Sequence, residues 1–237
     1  MSRSRMVQYD SKTHRVINVH SLKVGVGWTH LIETASGLVL VDAGSPGKQS
    51  KMFRYLEKLG RDDLRLIIIT HAHLDHYGSA LAIGRSTDAP IAIHREDADA
   101  MAKAETHLGL VRGWGKFVER TMPLVERYLS PEPTQADLLL GDGERLDRFG
   151  LDAQILHTPG HTPGSLTLLV DGGLAFVGDL ASTRGRPHAQ LFYATDWAQL
   201  ERSLKRVQSH EPRWVYTGHG GRPIRGEVFQ RIKARRV

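Results

Sequence analysis

Four potential metal ligands lie within six residues of one another, directly after a run rich in isoleucine and leucine. They are His71, His73, Asp75 and His76. Because residues two apart in a strand point to the same side, the imidazoles of His71 and His73 could converge on one ion. The chain contains no cysteine, so a metal here would be held by imidazole and carboxylate groups alone. That donor set suits zinc, and also iron or manganese.

Three further candidate ligands each follow a later predicted strand, where loops commonly carry functional residues: His161, Asp179 and His219. Each has an ordinary alternative when it is taken alone. His161 could hydrogen-bond within its Pro- and Gly-rich turn, Asp179 could cap a helix, and His219 could be a loop histidine with structural partners. Together with the first cluster, however, they predict a common site.

The elements that must position these residues follow from hydrophobic periodicity. Strands are predicted at 16–19, 24–26, 30–34, 37–41, 64–70, 90–94, 138–140, 153–157, 165–170, 174–177 and 214–217, and helices at 48–59, 78–83 and 197–208. The stretch at about 96–129 has helical character interrupted by glycines, and we interpret it as an insertion within a single domain spanning residues 1–237. Strands with interleaved helices indicate α/β layers with the helices outside.

Composition excludes several classes of protein. The 237 residues include 32 Lys and Arg against 26 Asp and Glu, a net charge of +6, and the absence of cysteine excludes disulfides and a thiol nucleophile. Charge is locally basic only at Arg3, Arg5 and residues 231–236, so nucleic acid is disfavoured as a partner. No run of eighteen apolar residues occurs, so we expect a cytoplasmic protein with no membrane partner.

The ligand pattern resembles that of the metallo-β-lactamase superfamily of binuclear metallohydrolases. The resemblance rests on His71-x-His73-x-Asp75-His76 and on the three later ligands, with the Asp42-Ala-Gly44 loop in support, and it covers residues from about 37 to 221. It implies an αββα sandwich, in which two packed mixed β-sheets carry helices on their outer faces and the metals lie at one edge.

The resemblance also implies a role for each ligand. The first metal would be held by His71, His73 and His161, the second by Asp75, His76 and His219, with Asp179 bridging both and Asp42 orienting a ligand imidazole. Two divalent ions, with zinc expected and iron or manganese as alternatives, would lower the pKa of a bridging water, so that hydroxide attacks the substrate. Asp75 is the candidate catalytic residue that accepts or relays the proton.

Departures from subfamily patterns narrow the substrate. Members that hydrolyse β-lactams generally replace the bridging Asp by Cys or Ser, whereas Asp179 is retained here. His73 disfavours a flavodiiron role, and the 18 residues after His219 leave little room for a glutathione-recognition domain. The expected substrate is therefore a small ester, lactone or thioester.

Alternatives remain open at this stage. A mononuclear iron persulfide dioxygenase shares much of the motif, and a phosphodiesterase or nuclease-like hydrolase shares the fold. Lactonases of acyl-homoserine lactones usually carry a Tyr where Ser182 stands, although Tyr193 could supply one from the next loop. Trp28 could cover part of the substrate, and the insertion could form a lid, a pocket wall or a homodimer contact.

Overall fold

The computed structural model describes residues 14–234, except for the side chains of residues 125–127. The basic residues Arg3, Arg5, Arg235 and Arg236 lie outside the described residues. The strands are β1 (Val16–Val24), β2 (Gly27–Thr34), β3 (Gly37–Val41), β4 (Leu64–Ile69), β5 (Ile91–His94), β6 (Leu110–Val111), β7 (Leu138–Leu140), β8 (Ala153–His157), β9 (Leu166–Val170), β10 (Leu174–Phe176), β11 (Ala181–Ser182), β12 (His188–Ala189), β13 (Tyr193–Ala194), β14 (Trp214–Tyr216) and β15 (Ile224–Arg225). The helices are α1 (Ser50–Leu59), α2 (Leu74–Tyr77), α3 (Ala80–Thr87), α4 (Ala98–Lys103), α5 (Gly115–Leu129), α6 (Trp197–Ser209) and α7 (Gly226–Phe229).

Two mixed sheets form the centre of the fold. The first has the order β1-β2-β3-β4-β5-β7, and the second has the order β15-β14-β10-β9-β8. In the first sheet β1, β2 and β3 pair antiparallel, whereas β3, β4, β5 and β7 pair parallel. In the second sheet only β10 and β14 pair parallel.

Alternation along the buried strands divides the core between the two faces of each sheet. On β4, Leu66 and Ile68 pack between the sheets with Leu168 and Phe176, while Ile67 joins a separate cluster on the outer face. The isoleucine-rich run therefore has apolar contacts on both faces, as expected for a parallel strand that is covered on both sides.

Helices cover both outer faces. Helices α1, α3 and α4 bury Met52, Ile83 and Met101 against the first sheet. Helix α6 buries Leu200 and Leu204, among others, against the second sheet, and its N-terminus is capped by the Asp196 carboxylate, which accepts from two backbone N–H groups. The fold is thus an αββα sandwich, and the fold-class prediction is confirmed.

Differences from the predicted elements are small. The two short strands expected at 16–19 and 24–26 are one strand, β1, which pairs with β2 around a tight turn at Gly25 and Val26. The helix expected at 78–83 is α3, which begins and ends later, and it is preceded by a short helix, α2, that was not predicted. The 96–129 stretch contains α4, β6 and α5, and β6 pairs with β13 of the second half of the chain.

Within residues 14–234, no helix is long and apolar enough to cross a membrane.

Candidate metal centre

The seven candidate ligands meet where loops leave the carboxyl ends of strands in both sheets. These loops follow β4, β8, β10 and β14, and backbone hydrogen bonds join them directly. The Leu166 N–H donates to the Thr70 carbonyl across the two sheets at 2.9 Å, and the Gly218 N–H donates to Gly178 at 2.9 Å. The site is therefore built from residues far apart in sequence on a frame of fixed loop ends.

His71 and His73 converge, but not for the reason that the sequence suggested. Strand β4 ends at Ile69, and both histidines lie in a bend in which the His73 N–H donates to the His71 carbonyl at 3.0 Å. The ladder stops because the Thr70 N–H donates to the Asp42 carboxylate, at 2.8 Å, instead of to a neighbouring strand. The expectation that strand alternation aligns the two imidazoles is wrong, since a turn aligns them.

The first group of ligands contains three buried histidines, His71, His73 and His161, with ring nitrogens within 4.8 Å of one another. Backbone carbonyls fix the tautomers of two of them, because a carbonyl can only accept. His73 donates from Nε2 to the His107 carbonyl at 3.1 Å, and His161 donates from Nδ1 to the Tyr193 carbonyl at 3.0 Å. The remaining nitrogens, His73 Nδ1 and His161 Nε2, then face each other at 3.0 Å as two lone pairs. Two lone pairs at this distance require a proton or a cation.

The same arrangement orients two more imidazoles. The Thr70 hydroxyl donates to the Asp42 carboxylate at 2.9 Å, so its oxygen accepts from His71 Nδ1 at 3.0 Å. His76 donates from Nδ1 to Asp42 Oδ2 at 2.8 Å. Asp42 therefore leaves the Nε2 atoms of His71 and His76 directed into the site, which is how outer partners usually orient metal-binding imidazoles.

The second group contains Asp75, His76 and His219, and Asp179 lies between it and the first group. Asp179 Oδ2 is 3.2 Å from His219 Nε2 and 3.7 Å from His161 Nε2, and Asp179 Oδ1 is 3.5 Å from His76 Nε2. Asp75 Oδ2 is 3.4 Å from His219 Nε2. A Cβ atom at Gly218 would overlap the His76 ring and the Asp179 carboxylate, so only glycine fits beside the cluster.

Unsatisfied polar atoms test whether these residues fit a metal. Within the described residues, His71 Nε2, His76 Nε2 and Asp179 Oδ1 are buried and have no hydrogen-bond partner. Buried polar atoms without partners cost free energy, and three of them within 4.8 Å of one another are explained if cations complete their coordination. The donor set of imidazole nitrogens and carboxylate oxygens fits divalent zinc, iron or manganese.

Electrostatics differ between the two groups. Burial, together with the charges of neighbouring imidazoles, lowers the pKa of His71 well below its usual value and lowers that of His161 to about 3. Burial also lowers the pKa of His73. All three side chains are therefore neutral near pH 7, with lone pairs ready to bind a cation.

In the second group, neighbouring carboxylates raise the pKa values of the histidines instead of leaving them lowered by burial. Burial by itself would lower the pKa of His76, but Asp42, Asp75 and Asp179 raise it to about 10. Asp179 and Asp75 likewise outweigh burial and raise the pKa of His219. Burial would raise the pKa of Asp179, yet the His219 and His76 charges hold it well below its usual value. With a pKa of about 10, His76 holds a proton at neutral pH that a metal would displace.

Sequence reasoning missed three contributions to the site. The carbonyls of His107 and Tyr193 orient ligands, but a backbone group carries no residue-type signal. The buried carboxylate of Asp97 accepts hydrogen bonds from the loops that carry His71 and His161. Asp97 lies within the 96–129 stretch and belongs to no ligand motif, so neither its type nor its spacing indicated this role.

The structure also bears on the ordinary alternatives. Asp179 lies inside a short 3₁₀ turn, Gly178–Leu180, and makes no cap hydrogen bond there. The Ser182 hydroxyl donates to the His219 carbonyl at 3.0 Å and so supports that ligand's loop. The Trp28 ring packs against Gly221, just beyond His219, and the Trp28 N–H donates to the Gly218 carbonyl at 2.9 Å.

A further group of His94, Glu96 and His157 lies outside this centre. The two imidazole rings are stacked, with centroids 3.9 Å apart and planes 11° apart. Ring nitrogens bind metals along lone pairs in the ring plane, so two parallel rings cannot direct theirs to one ion. The stacking contact supports the interpretation of both histidines as structural.

A fold of two mixed sheets between helices, with seven candidate His and Asp ligands gathered at one end, is typical of a class of binuclear metalloproteins. The family model described as "Metallo-beta-lactamase superfamily" matches residues 22–219, and the chain belongs to this superfamily.

Known relatives are similar over most of the chain. The "Probable metallo-hydrolase YflN" of Bacillus subtilis is 29% identical over 234 residues, covering 90% of this chain and 87% of the relative. The "N-acyl homoserine lactonase" of Bacillus sp is 26% identical over 236 residues, covering 85% of this chain and 84% of the relative. The solved structure of TTHA1623 "in a di-iron-bound form" is 28% identical with a TM-score of 0.69, covering 92% of this chain and 98% of the other.

Proposed function

We propose that this metal-dependent hydrolase of the metallo-β-lactamase superfamily cleaves a small ester, lactone or thioester. We propose the ligand sets that the resemblance implies: His71, His73 and His161 for one ion, Asp75, His76 and His219 for the other, and Asp179 shared between them. When bound, such a pair of divalent cations lowers the pKa of water toward neutrality and polarises a carbonyl oxygen.

The observation that carries the proposal is the pair of facing lone pairs on His73 and His161, 3.0 Å apart. A backbone carbonyl fixes the tautomer of each imidazole by accepting a hydrogen bond from its other ring nitrogen. The unpartnered Nε2 atoms of His71 and His76 belong to the same cluster. Folding a chain around so many buried polar atoms without partners costs free energy unless cations are bound. Convergence of the second group beside the first favours two ions over one.

Asp75 is the proposed proton acceptor. Its side chain is 18% exposed, against 2% for Asp179, so it lies on the solvent side of the cluster. A carboxylate at this position can take a proton from the attacking water and pass it to the leaving group or to solvent. Asp179, buried among the histidines, is held too far below its usual pKa to accept a proton near neutrality.

Tyr193 is the proposed donor to the substrate. Its ring centroid lies 6.2 Å from that of His73 and 5.7 Å from that of His161. Burial, with the charges of Asp179 and Asp75, raises the pKa of this phenol, which therefore stays protonated and can donate to a substrate oxygen. Acyl-homoserine lactonases usually carry a Tyr at the position of Ser182, and Tyr193 would supply that phenol here. Ser182 supports the His219 loop instead.

The substrate class rests on the lactonase relative and on the retained Asp179. The identity of the metal is less well defined by the site than the substrate class is. Zinc suits the donor set, but TTHA1623 was solved with iron, so iron is the second candidate. A one-iron persulfide dioxygenase is the competing function, and the metal content separates the two.

The test is a substrate screen with metal analysis of the same sample. Protein purified without chelators is analysed for its metal content as isolated, and portions of it, as isolated and after reconstitution with Zn²⁺, are assayed against lactones, thioesters, aryl esters, phosphodiesters and β-lactams. We expect two ions per chain and turnover of an ester, lactone or thioester. A single iron per chain, with oxygen consumed in the presence of a persulfide and no hydrolysis, would establish the competing function instead.

Variants connect the activity to the cluster. We expect His73→Ala and Asp179→Ala to lose bound metal and hydrolysis together. His94→Ala removes a buried imidazole outside the cluster and is the matched control, with metal content and hydrolysis retained. Full activity in either cluster variant would contradict the assignment.

A further inference from the structure

Asp97 is a buried carboxylate that has no assigned role in the site. It directly precedes α4 and is 2% exposed. At this position an Asp ordinarily accepts hydrogen bonds from the first N–H groups of its helix, but Asp97 makes no such cap. A buried charge that does not cap its own helix requires other partners.

Those partners come from two separate ligand loops. Asp97 Oδ2 accepts from the Ala72 N–H at 2.9 Å and from the Thr162 hydroxyl at 2.7 Å, and Oδ1 accepts from the Gly164 N–H at 2.6 Å. Ala72 lies between His71 and His73, and Thr162 directly follows His161. One carboxylate therefore connects both loops that supply the three-histidine group.

The contact is too close to tolerate a longer side chain on the opposite loop. A Cβ atom at Gly164 would overlap the Asp97 backbone and side chain, so glycine is required there. The Thr162 N–H and hydroxyl are also hydrogen-bonded to the Ser165 hydroxyl, at 3.0 Å and 2.7 Å, which rigidifies the turn that Asp97 contacts. Hydrogen bonds to an ionised acceptor are stronger than neutral ones, so this connection is stiff.

We propose that Asp97 is a positioning residue for the three-histidine metal site, fixing the separation between His161 and the His71–His73 bend. This inference rests on the proposed function, because it requires that these histidines hold an ion. It has a counterpart in Asp42, which orients His76 directly, whereas Asp97 acts through the backbone on either side of the ligands. Loss of such an outer partner typically weakens metal affinity ten- to hundredfold.

The test measures both metal affinities in the full chain. Metal-free protein is titrated with Co²⁺ while its visible spectrum is recorded, and the two dissociation constants are obtained by competition with a chromophoric chelator. Asp97→Asn keeps the shape but turns an N–H toward a backbone donor. We expect one ion to weaken about ten- to hundredfold, the other to stay within about threefold, and the spectrum of the weakened site to change.

Asp137→Asn is the control, because the Asp137 carboxylate also accepts from a backbone N–H, that of Ile91 at 2.8 Å, but lies outside the cluster. It should change neither metal affinity. Thr162→Val removes only the hydroxyl donor and serves if Asp97→Asn does not fold, with a loss at the same ion of about three- to tenfold.

Combining Asp97→Asn with the loss of one candidate ligand shows which of the two metal sites the substitution weakens. In a His219→Ala chain the Asp97→Asn effect should persist, and in a His161→Ala chain it should disappear. Equal weakening of both ions, the same loss in Asp137→Asn, or unchanged affinities in both Asp97→Asn and Thr162→Val would overturn the positioning role and leave the proposed function intact. Wild-type protein that binds no metal would overturn both.

Discussion

The two halves of the metal cluster achieve ligand convergence in opposite electrostatic ways. The three-histidine half is fully buried, and its pKa values are lowered, so it presents neutral lone pairs. The other half includes Asp75 and His219, whose side chains are 18% and 16% exposed, and carboxylates raise the pKa values of its histidines. Asp179 contacts both halves, with Oδ2 3.7 Å from His161 Nε2 and 3.2 Å from His219 Nε2.

This difference indicates a division of labour. A neutral, buried, backbone-braced site suits an ion that stays in place, since no proton competes with it. A partly exposed, anionic site suits an ion whose coordination changes as substrate and product exchange. The proposed proton acceptor, Asp75, lies on the solvent side of that second half.

The largest effect should come from removing the shared ligand. Asp179→Ala takes one ligand from each ion, and a quarter of the roughly 12 kcal/mol that four ligands provide is about 3 kcal/mol per ion. We therefore expect each affinity to fall roughly a hundredfold, as measured by chelator competition. Loss of one ion alone would show that Asp179 belongs to one half only.

Removing an unshared ligand should separate the halves. His161→Ala should weaken one ion about a hundredfold and His219→Ala the other, by the same argument of one ligand in four. Mass spectrometry under native conditions counts the ions retained by each variant. If both variants lose the same ion, the division into two groups is wrong.

A smaller effect is expected at Asp42, the residue that orients His76. Asp42 has a φ of 59°, a conformation that Asn adopts readily, so Asp42→Asn leaves the backbone unstrained. We expect the ion on the His76 side to weaken about ten- to hundredfold and the ion on the His161 side to weaken less, since Asp42 contacts the first group only through Thr70. Calorimetric titration of the metal-free protein measures the two ion affinities separately. Equal losses of affinity for both ions would show that Asp42 does not act mainly on the His76 side.

The smallest expected effect is the pH dependence of the two metal affinities. Because His76 has a pKa of about 10 without metal, it is protonated at pH 7, and binding the second ion must release that proton. The apparent affinity of the protein for the second ion should therefore rise about tenfold per pH unit between pH 7 and 9. His161, with a pKa of about 3, and its neighbours are already neutral, so the first affinity should stay nearly constant over this range. Parallel pH dependences for both ions would contradict the comparison.

Much of the fold could be predicted because its signals are local. The apolar run of β4 and the periodicity of α1 and α6 are properties of short windows, and they indicated α/β layers with the helices outside, whereas the two-sheet sandwich was implied by the family resemblance. The strand boundaries at β1 were less accurate, because Val24 continues the strand while the glycine after it begins the turn.

The residues of the cluster could be predicted from type and spacing, but their mechanism of alignment could not. The bend at His71 and His73 depends on Asp42, 28 positions earlier, taking the Thr70 N–H from the sheet. The link from Asp97 to Thr162 spans 65 positions. Such contacts depend on tertiary packing, which no periodicity in one segment encodes.

The central claim is that two cations occupy the two halves of this cluster. Anomalous diffraction at the zinc absorption edge, from crystals of the chain grown with excess Zn²⁺, tests it directly. We expect two separate peaks per chain, one bounded by His71, His73 and His161 and the other by Asp75, His76 and His219, with Asp179 touching both. One peak, or none, among these side chains would contradict it.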